Sequence, residues 1–351
     1  MNINKMKAAI LVEQNQPLVI DDVTLPEELK YGQVLVKIYY TTICGSQLGE
    51  IDGVKGPDKY LPHLLGHEGS GVVEKCGEGI TTVKPGDHVV LHWREGKGIQ
   101  SPTPHYKWKE KLVNAGSITT FNEYALVSEN RLTPIDKAFD MKIASLYGCA
   151  ITTGFGVINN NAHLKSGESI IVFGAGGVGA AIILAASCAS AYPIIAIDIN
   201  DFKLDQARKF GATHTINSMK LSPNQNIQEK IREILPQGVD VIVETTGIKA
   251  VRELAYELTN NTGRTIMVGV PKNGEKMNLD TLPLHFTKKI TGSHGGKANP
   301  TYDIPRLIRL QQNGAFDLTE MITKEFSLDQ INEAIQLVRK GDVIRCVIKM
   351  A

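Results

Sequence analysis

Cysteine, net charge and long apolar runs are all scarce in this chain of 351 residues. Its five cysteines are odd in number and widely spaced, so they do not form a disulfide framework and are better explained as metal ligands or buried thiols. The formal net charge of +1 supplies no global field that would attract nucleic acid or an anionic membrane. A small molecule is therefore the expected partner.

The beginning of the sequence lacks a long apolar segment. Its apolar run, residues 8–12, ends at Glu13 and is too short for a signal peptide or a membrane-spanning helix, so we expect a cytoplasmic protein. Apolar residues make up 42% and charged residues 21%, which is typical of globular proteins and far from disordered, fibrous or membrane compositions. A chain of this length is longer than a single hydrophobic core usually supports, so two domains are expected.

Residues 7–148 contain short β-like runs separated by turns. The runs are AAILVE, QVLVKIYY, GSGVVEKC, GDHVVLHW and FNEYALVS. Valine, isoleucine and tyrosine are dense in them, and glycine, proline and aspartate cluster between them, which is typical of an all-β, barrel-like unit. We place this domain at residues 1–150.

The middle of the chain, residues 151–292, alternates strands with helices. The strand-like segments SIIVFGAG, PIIAIDIN, VDVIVETTG and TIMVGV are separated by helical patterns, as a doubly wound parallel sheet of the Rossmann type requires. Residues 293–351 then give a loop, two helices and a final strand, VIRCVIKM, which we expect to return to the first domain. The predicted fold class is α/β.

A glycine-rich turn follows the apolar strand at residues 169–173 and opens a helix. In such a turn the first glycine permits a tight bend, the second admits a pyrophosphate, and the third lets the helix approach the strand. The strand, the turn, the helix and a later acid occur in register, which predicts a dinucleotide site. The turn comprises Gly174, Gly176, Gly177, Val178 and Gly179.

Asp198 ends the second strand at the distance expected for the acid that binds the adenosine ribose. Its carboxylate would repel a 2′-phosphate, and neither Asn200 nor Asp201 offers an arginine in its place, so NAD is predicted over NADP. Lys203 is a further candidate for the adenosine half of the cofactor, although the same position also fits a solvated helix residue.

A second constellation consists of Cys44 in TICGS, His67 in LLGHEGS and Cys149 in LYGCAITTG. Two thiolates and one imidazole, with a fourth position left for water or substrate, are the ligands of a catalytic zinc. Each cysteine alone would be better explained as a buried residue, but the three residues together predict a metal site. The remaining cysteines have no such context and are predicted to be packed thiols: Cys76, Cys188 and Cys346.

Taken in this order, the two sites resemble those of the zinc-containing medium-chain alcohol dehydrogenases along nearly the whole chain. The resemblance is carried by C-G-S at Cys44, G-H-E at 66–68, G-D-H-V at 86–89, T-T-G after Cys149, the glycine-rich turn with Asp198, V-G-V-P at 268–271 and Arg345. It implies a GroES-like barrel for the first domain. It also implies a homodimer or homotetramer, and we expect a dimer to pair the TIMVGVP segment as an edge strand.

The resemblance assigns roles to individual residues. Zinc would be bound by Cys44, His67 and Cys149. The other implied roles are a carboxylate behind these ligands (Glu68), proton relay (Ser46), contact with the nicotinamide (Thr153), cofactor binding (Val268), contact with the pyrophosphate (Arg345) and a substrate pocket (Trp93 and Phe121). As bare residues, Trp93 and Phe121 also fit an ordinary core.

Three features depart from the family pattern. Gln47 replaces the common aspartate three residues after Cys44, which removes a negative charge from behind the metal. Gly49 replaces a histidine found in several members, so the outer part of the proton relay must use another group or water. Residues 92–120 contain no cysteine, whereas many relatives carry a four-cysteine structural zinc there, so one zinc per chain is predicted.

The predicted activity is hydride transfer between an alcohol and NAD, with zinc as the Lewis acid on the substrate oxygen. One alternative is a zinc-free reductase of the same superfold that acts on quinones or conjugated carbonyls with NADPH, in which the three ligand positions would be spare. The other alternative is a non-catalytic nucleotide-binding protein, which the fold alone does not exclude.

Residues 92–111 form a basic segment that contains both tryptophans. Five cations minus two acids give it a local charge of +3 in a chain whose total is +1. One reading is a solvated loop stiffened by Pro102 and Pro104. The other is that Lys107 and Lys109 extend from Trp93 near the zinc and steer an anionic or large polar substrate toward it.

Overall fold

The computed structural model describes residues 4–222 and 226–350. In chain order its strands are β1 (Lys5–Leu11), β2 (Val19–Thr24), β3 (Gln33–Thr42), β4 (His63–Leu64), β5 (Glu68–Cys76), β6 (His88–His92), β7 (His105–Trp108), β8 (Lys111–Asn114), β9 (Tyr124–Ser128), β10 (Leu132–Ile135), β11 (Ile170–Phe173), β12 (Ile194–Asp198), β13 (His214–Asn217), β14 (Val239–Glu244), β15 (Thr259–Met267), β16 (Lys289–Gly292), β17 (Ile322–Ser327) and β18 (Arg345–Lys349).

The α-helices are α1 (Gly45–Ile51), α2 (Met141–Ala144), α3 (Ala150–Gly156), α4 (Gly177–Cys188), α5 (Asp201–Lys209), α6 (Ile227–Ile234), α7 (Lys249–Leu258), α8 (Pro300–Gln312) and α9 (Ile331–Lys340). Among the described residues, no single helix is long and apolar enough to cross a membrane, and one bent pair, Met141–Gly148 with Ala150–Ala162, reaches that length and composition only in combination.

The chain divides into two compact units. The first comprises Met1–Thr152 and Asn299–Ala351, and the second comprises Thr153–Ala298. Sequence analysis places the boundaries after residues 150 and 292. Residues 293–298 belong to the second unit because Gly296 packs there: a Cβ on Gly156 would lie 2.4 Å from its carbonyl oxygen, and the Asn160 amide donates to the same oxygen at 3.0 Å.

The first unit contains a closed barrel and a second sheet. Strands β1, β2, β7, β8 and β4 form the barrel, and the second sheet has the order β10-β6-β5-β3-β18-β17, with β9 also paired to β3. Tyr106 and Met6 fill the barrel core. The prediction of a β-rich, barrel-like unit for this region is confirmed. The loop predicted for residues 92–111 is wrong in its second half, which forms β7 and starts β8 because Tyr106 and Trp108 face the barrel core.

The C-terminal segment completes the second sheet of the first unit. Strand β18 pairs antiparallel with β3, with Val347 opposite Thr42 and Ile348 opposite Thr41. The side chains of Cys346 and Ile348 enter the same hydrophobic core as β3. This pairing brings Arg345, the first residue of β18, close to the end of β3.

The second unit is a six-stranded sheet of order β13-β12-β11-β14-β15-β16 in which every pairing is parallel. The Rossmann-type prediction is therefore confirmed. The expectation that TIMVGVP lies at an edge is wrong, because β15 pairs with β14 on one side and β16 on the other. The edges of the sheet are β13 and β16, and the edge next to β15 is β16, a four-residue segment whose mostly exposed pattern gives little signal in the sequence.

Candidate metal centre and dinucleotide site

Three segments of the first unit bring four metal-binding side chains together. One follows β3 and precedes α1, the second lies where β4 leads into β5, and the third lies between α2 and α3. These segments are distant in sequence but adjacent in the fold, because β3 and β5 pair directly. The side chains are those of Cys44, His67, Glu68 and Cys149.

Glycine immediately precedes two of these residues. Gly66, before His67, has a φ of +89°, and a Cβ there would lie 2.3 Å from a threonine hydroxyl. A Cβ on Gly148, before Cys149, would lie 2.1 Å from a carbonyl oxygen of β6. Only a residue without a side chain allows the backbone to approach its neighbours this closely. The two glycines therefore fix where His67 and Cys149 emerge.

The ligand atoms of Cys44, His67, Glu68 and Cys149 all lie within 4.8 Å of one another. The two cysteines and Glu68 are buried, and the Nε2 atom of His67 is buried without a hydrogen-bond partner in the described part of the chain. Two sulfurs and one imidazole nitrogen are the donors of a catalytic zinc with an open fourth position. The donor set therefore fits zinc.

Gln47 contacts two of these residues. Its side chain is only 1% exposed, and its Oε1 accepts the backbone N–H of Cys44 at 2.9 Å. Its amide nitrogen hydrogen-bonds Nδ1 of His67. Because Nδ1 is occupied, Nε2 is the nitrogen left to face a metal. Sequence analysis considered only the negative charge that is lost when Gln47 replaces an aspartate. In the structure, the amide of Gln47 also connects two candidate ligands.

Glu68 forms a buried ion pair with Arg345. Their Oε1 and Nη1 atoms are 3.0 Å apart, and the side chains are 0% and 2% exposed. The other Glu68 oxygen accepts the N–H of Ala150, next to Cys149, at 3.4 Å. Within the described residues, Nε and Nη2 of Arg345 are buried without partners. The contact of Arg345 with a pyrophosphate stays a prediction.

Burial and proximity shift the pKa values of this cluster. Cys149 hydrogen-bonds Cys44 and His67 lies beside it, so the pKa of Cys44 is well below its ordinary value while the pKa of Cys149 is raised. Burial raises the pKa of Glu68 despite the opposing charge of Arg345. Burial also lowers the pKa of His67, but the Cys44 sulfur reverses this effect and the net shift is upward. The thiolate is the form of cysteine that binds a metal.

Two of the three remaining candidates near the metal contact His67. The Ser46 hydroxyl is 3.5 Å from its Nδ1, and the Trp93 ring centroid is 6.4 Å from the imidazole centroid. Phe121 is fully buried in the core of the first unit, and its backbone N–H donates to the Leu65 carbonyl at 3.0 Å. The expectation that Phe121 lines a substrate pocket is therefore corrected, because its ring has no open face.

An open cavity of about 790 Å³ reaches His67. Its lining includes the cations Lys55 and Lys59 but not Lys107 or Lys109. Lys109 instead pairs with Asp21 at 3.5 Å, and its Nζ lies 4.8 Å from the centroid of the neighbouring tryptophan ring on β7. The steering role predicted for Lys107 and Lys109 is not supported, since neither residue lines this cavity.

The glycine-rich turn joins β11 to α4 in the second unit. Gly174 has a φ of +88°, and a Cβ on Gly179 would lie 1.9 Å from the Gly174 carbonyl oxygen, so these two positions hold the helix against the strand. A Cβ on Gly176 would meet nothing within 4 Å. The space above Gly176, at the amino end of a twelve-residue helix, is where a pyrophosphate would approach the backbone. The turn therefore fits a dinucleotide.

Asp198 ends β12 beside this turn. Its Oδ2 accepts the N–H of Ala175 at 2.7 Å, and its Oδ1 accepts those of Ile199 and Asn200 at 2.8 and 3.0 Å. The carboxylate is thus oriented by three backbone donors and remains partly exposed. This orientation is compatible with ribose binding, which stays a prediction.

The other cofactor candidates of the second unit lie on separate elements. Gly177 and Val178 are the first residues of α4, and Thr153 is buried in α3. Lys203 lies in α5, where its N–H donates to Asn200, and the Val268 N–H donates to the Glu244 carbonyl at 2.8 Å. Their cofactor contacts stay predictions.

The three spare cysteines have different environments. Cys346 is buried and Cys76 is partly buried, as expected for packed thiols, and burial raises the pKa of both. Cys188 is exposed at the end of α4, so the prediction of a packed thiol is wrong there. The helix ends at this residue and turns its last side chains outward.

Sequence reasoning missed the contacts of Gln47 and the pairing of Glu68 with Arg345. The two members of the pair are 277 residues apart, and no local pattern links them. The signal that was available for Gln47 was its place three residues after Cys44, at the same end of α1.

The fold and the two sites together define a metal-dependent, dinucleotide-linked dehydrogenase. Comparison with known families agrees: residues 30–137 match the alcohol dehydrogenase GroES-like domain, and residues 177–313 match the zinc-binding dehydrogenase family.

Similar proteins are found across the whole length of the chain. S-(hydroxymethyl)glutathione dehydrogenase of Escherichia coli O139:H28 is 32% identical over an alignment of 374 residues that covers 98% of this chain and 100% of the relative. Benzyl alcohol dehydrogenase from Acinetobacter calcoaceticus has a TM-score of 0.88 and 29% identity, with 99% of both chains covered. An alcohol dehydrogenase zinc-binding domain protein from Burkholderia ambifaria gives a TM-score of 0.89 and 29% identity over 99% of both chains.

The chain therefore belongs to the zinc-containing medium-chain alcohol dehydrogenases. It is an oxidoreductase that uses zinc and NAD to transfer a hydride between an alcohol and the cofactor. This assignment excludes the non-catalytic alternative and disfavours the zinc-free reductase, in which the convergence of Cys44, His67 and Cys149 would serve no purpose.

Proposed function

We propose that Cys44, His67 and Cys149 hold the single catalytic zinc of this alcohol dehydrogenase. The observation that carries this proposal is the convergence of their ligand atoms within 4.8 Å, with the buried Nε2 of His67 left without a partner among the described residues. Zinc bound there supplies a Lewis acid that polarises the substrate oxygen. Glu68, one residue from His67 and hydrogen-bonded beside Cys149, positions the ligand segments rather than completing the ligand set.

Ser46 receives the proton of the substrate hydroxyl in this proposal. Its Oγ lies 3.5 Å from His67, and it is two residues from Cys44 on the first turn of α1. Replacing Ser46 with alanine removes the first proton acceptor, so the oxidation rate falls by about 10²-fold, as expected for a positioned relay group. Single-turnover formation of NADH measures this step.

The nicotinamide dinucleotide binds the second unit through the Gly174–Gly179 turn, with Asp198 on the adenosine ribose. The open space above Gly176 and the three backbone donors that orient Asp198 support this arrangement. NAD is preferred over NADP because a 2′-phosphate would meet this carboxylate. Asp198→Ala is expected to narrow the preference, as measured by kcat/KM with each cofactor, and a wild-type preference for NADP would contradict the assignment.

The substrate carries polar groups beyond its reacting carbon. The cavity that reaches His67 has a volume of about 790 Å³ and includes charged side chains, which suits a larger alcohol than ethanol. The similar proteins act on S-(hydroxymethyl)glutathione and on benzyl alcohol. A panel of thiol adducts, aromatic alcohols, polyols and short aliphatic alcohols, compared by kcat/KM, tests this proposal. Equal or better kcat/KM with short aliphatic alcohols would contradict it.

The chain assembles as a homodimer or homotetramer through the β16 edge of the second unit. An unpaired edge strand is a template for a second copy, and Leu282 and Phe286, shortly before β16, are 63% and 68% exposed. Light scattering after gel filtration measures the assembly, and Phe286→Glu is expected to weaken it.

We also propose a cytoplasmic location, which the absence of disulfides among the described cysteines supports.

A further inference from the structure

This chain must transfer the substrate proton from Ser46 to solvent by a different group from the histidine that several relatives use. Oxidation of an alcohol to a carbonyl releases one proton for each hydride transferred. Ser46 is the proposed first acceptor, but a serine must pass its own proton on because its hydroxyl does not hold an extra charge near neutral pH. Gly49, which stands where several relatives have a histidine, has no side chain to receive that proton.

Glu50 is the neighbour of Ser46 on α1. The two residues are four apart in a helix that runs without interruption from Gly45 to Ile51. Side chains at this spacing lie on one face of a helix, with Cβ atoms about 5–6 Å apart. Gln47 and Ile51 are buried and fix the rotation of the helix, which leaves Ser46 and Glu50 both partly exposed.

Glu50 is one of the residues that line the cavity that reaches His67. The pKa of His67, which burial lowers and Cys44 and Glu68 raise, is also raised by the charge of Glu50, so the carboxylate lies within electrostatic range of the metal centre. Glu50 forms no ion pair and its carboxylate accepts no hydrogen bond from the residues that the structure describes. Both oxygens of the Glu50 carboxylate therefore remain available as hydrogen-bond acceptors.

Besides His67, the other titratable groups that line this cavity are Lys55, Asp58, Lys59, Tyr60, His63 and His105. Tyr60 is 59% exposed, and its ring centroid lies 5.2 Å from Nζ of Lys59. A lysine ammonium group has three donors and no lone pair that could accept a proton. Asp58 and His63 hydrogen-bond each other, with 2.8 Å between Oδ2 and Nε2. The other ring nitrogen of His63, Nδ1, hydrogen-bonds the Leu64 carbonyl at 2.9 Å. His105 lies on β7 and shares no element with Ser46. Glu50 is thus the best-placed acceptor.

We propose that Glu50 is the outer proton acceptor of the alcohol dehydrogenase reaction in this chain, an inference that rests on the function proposed above. The substrate O–H bond breaks as Ser46 takes the proton, and the proton of Ser46 passes to the Glu50 carboxylate directly or through one water molecule. Glu50 then releases it to solvent. The electron pair of the carbinol C–H bond leaves as hydride to NAD, so each turnover yields one carbonyl product, one NADH and one proton.

The test is a pH profile of single-turnover NADH formation in the zinc-loaded enzyme, with benzyl alcohol and 1-butanol as probes. Glu50→Gln is expected to lower the rate about tenfold or more near pH 7 and to approach the wild-type rate at high pH, where hydroxide replaces the missing acceptor. Added imidazole should restore the rate at pH 7, and Glu50→Asp should retain part of it. Zinc content and NAD affinity should stay at wild-type values.

Asp58→Asn is the matched control, because it removes the same charge from the same cavity without touching the Ser46 face of α1. A wild-type profile in Glu50→Gln, a lack of rescue by imidazole, a loss of zinc in that variant, or an equal defect in Asp58→Asn would each overturn the proposal. If the wild-type enzyme oxidises no alcohol, the proposed function fails instead, and the two failures are distinguishable.

Discussion

The two binding sites of this protein are built from different materials. The metal centre consists of side chains from three separate segments between Cys44 and Cys149, held by buried polar contacts such as the Glu68–Arg345 pair. The dinucleotide turn consists of contiguous backbone between β11 and α4, and its key residues act by having no side chain. Removing a side-chain group should therefore disable the first site, whereas adding one methyl group should disable the second.

The largest expected effect is the loss of a metal ligand. Cys44→Ser, His67→Ala and Cys149→Ser should each reduce bound zinc from about one per chain to near zero and remove activity, because three donors are the whole protein contribution to the site. Elemental analysis of purified protein measures the zinc. Cys188→Ser, at an exposed cysteine, is the control and should keep both. Retention of zinc in any ligand variant would contradict the site.

The next effect concerns the buried ion pair behind the ligands. Arg345→Met leaves Glu68 charged and unpaired in the interior and should lower the free energy of unfolding by about 3–5 kcal/mol. Arg339→Met is the matched control, because Arg339 pairs with Asp52 where both side chains are about one-third exposed, and its loss should cost less than about 1 kcal/mol. Denaturant titration measures both. If both variants lose the same free energy of unfolding, burial does not determine how much an ion pair contributes to stability.

A buried histidine should make the first unit sensitive to acid. Burial lowers the pKa of His92 to about 4 from an ordinary value of 6.5, so between these values the unfolded chain binds a proton that the folded chain refuses. The stability contributed by neutral His92 is present above pH 6.5 and is lost as the pH falls toward 4, with a total of about 3 kcal/mol.

Unfolding titrations at several pH values test this expectation. In His92→Gln the fall in stability over this pH range should be smaller than in the wild type, whatever the stability of the variant at neutral pH. His105→Gln, at an exposed histidine, should keep the wild-type slope. An unchanged slope in His92→Gln would contradict the assignment.

The smallest expected effects concern the glycine turn, and they separate its two functions. A Cβ at Gly179 meets the Gly174 carbonyl at 1.9 Å, so Gly179→Ala should destabilise the protein by about 1–3 kcal/mol. A Cβ at Gly176 meets nothing, so Gly176→Ala should fold normally and lose only NAD affinity. Thermal unfolding and NAD titration distinguish the variants. Wild-type NAD affinity in Gly176→Ala would contradict the predicted approach of the pyrophosphate.

The same contrast explains what the sequence could predict. The glycine turn and Asp198 were predictable because strand, turn and helix follow one another, and the fold classes of both regions followed from period and composition. The residue types of Cys44, His67 and Cys149 predicted a metal site before any family resemblance was considered, and the resemblance then assigned the three as zinc ligands. The contacts of Gln47, the pairing of Glu68 with Arg345 and the core position of Phe121 depend on long-range packing that no local pattern reports. Edge strand β16 was missed because its four mostly exposed residues show no alternation of apolar and polar side chains.

The return of the C-terminal segment has a consequence for the order in which the protein forms during synthesis. The second unit, Thr153–Ala298, is contiguous and is fully synthesised before the last 53 residues, whereas the first unit needs Asn299–Ala351 as well. Until β18 leaves the ribosome, residues 40–42 of β3 lack the strand that pairs with them in the finished fold, and Glu68 lacks its ion-pair partner Arg345. The metal ligands are therefore synthesised before Arg345, the buried cation that pairs with Glu68 behind them. A nascent chain stalled before residue 345 should already bind NAD but should not yet retain zinc.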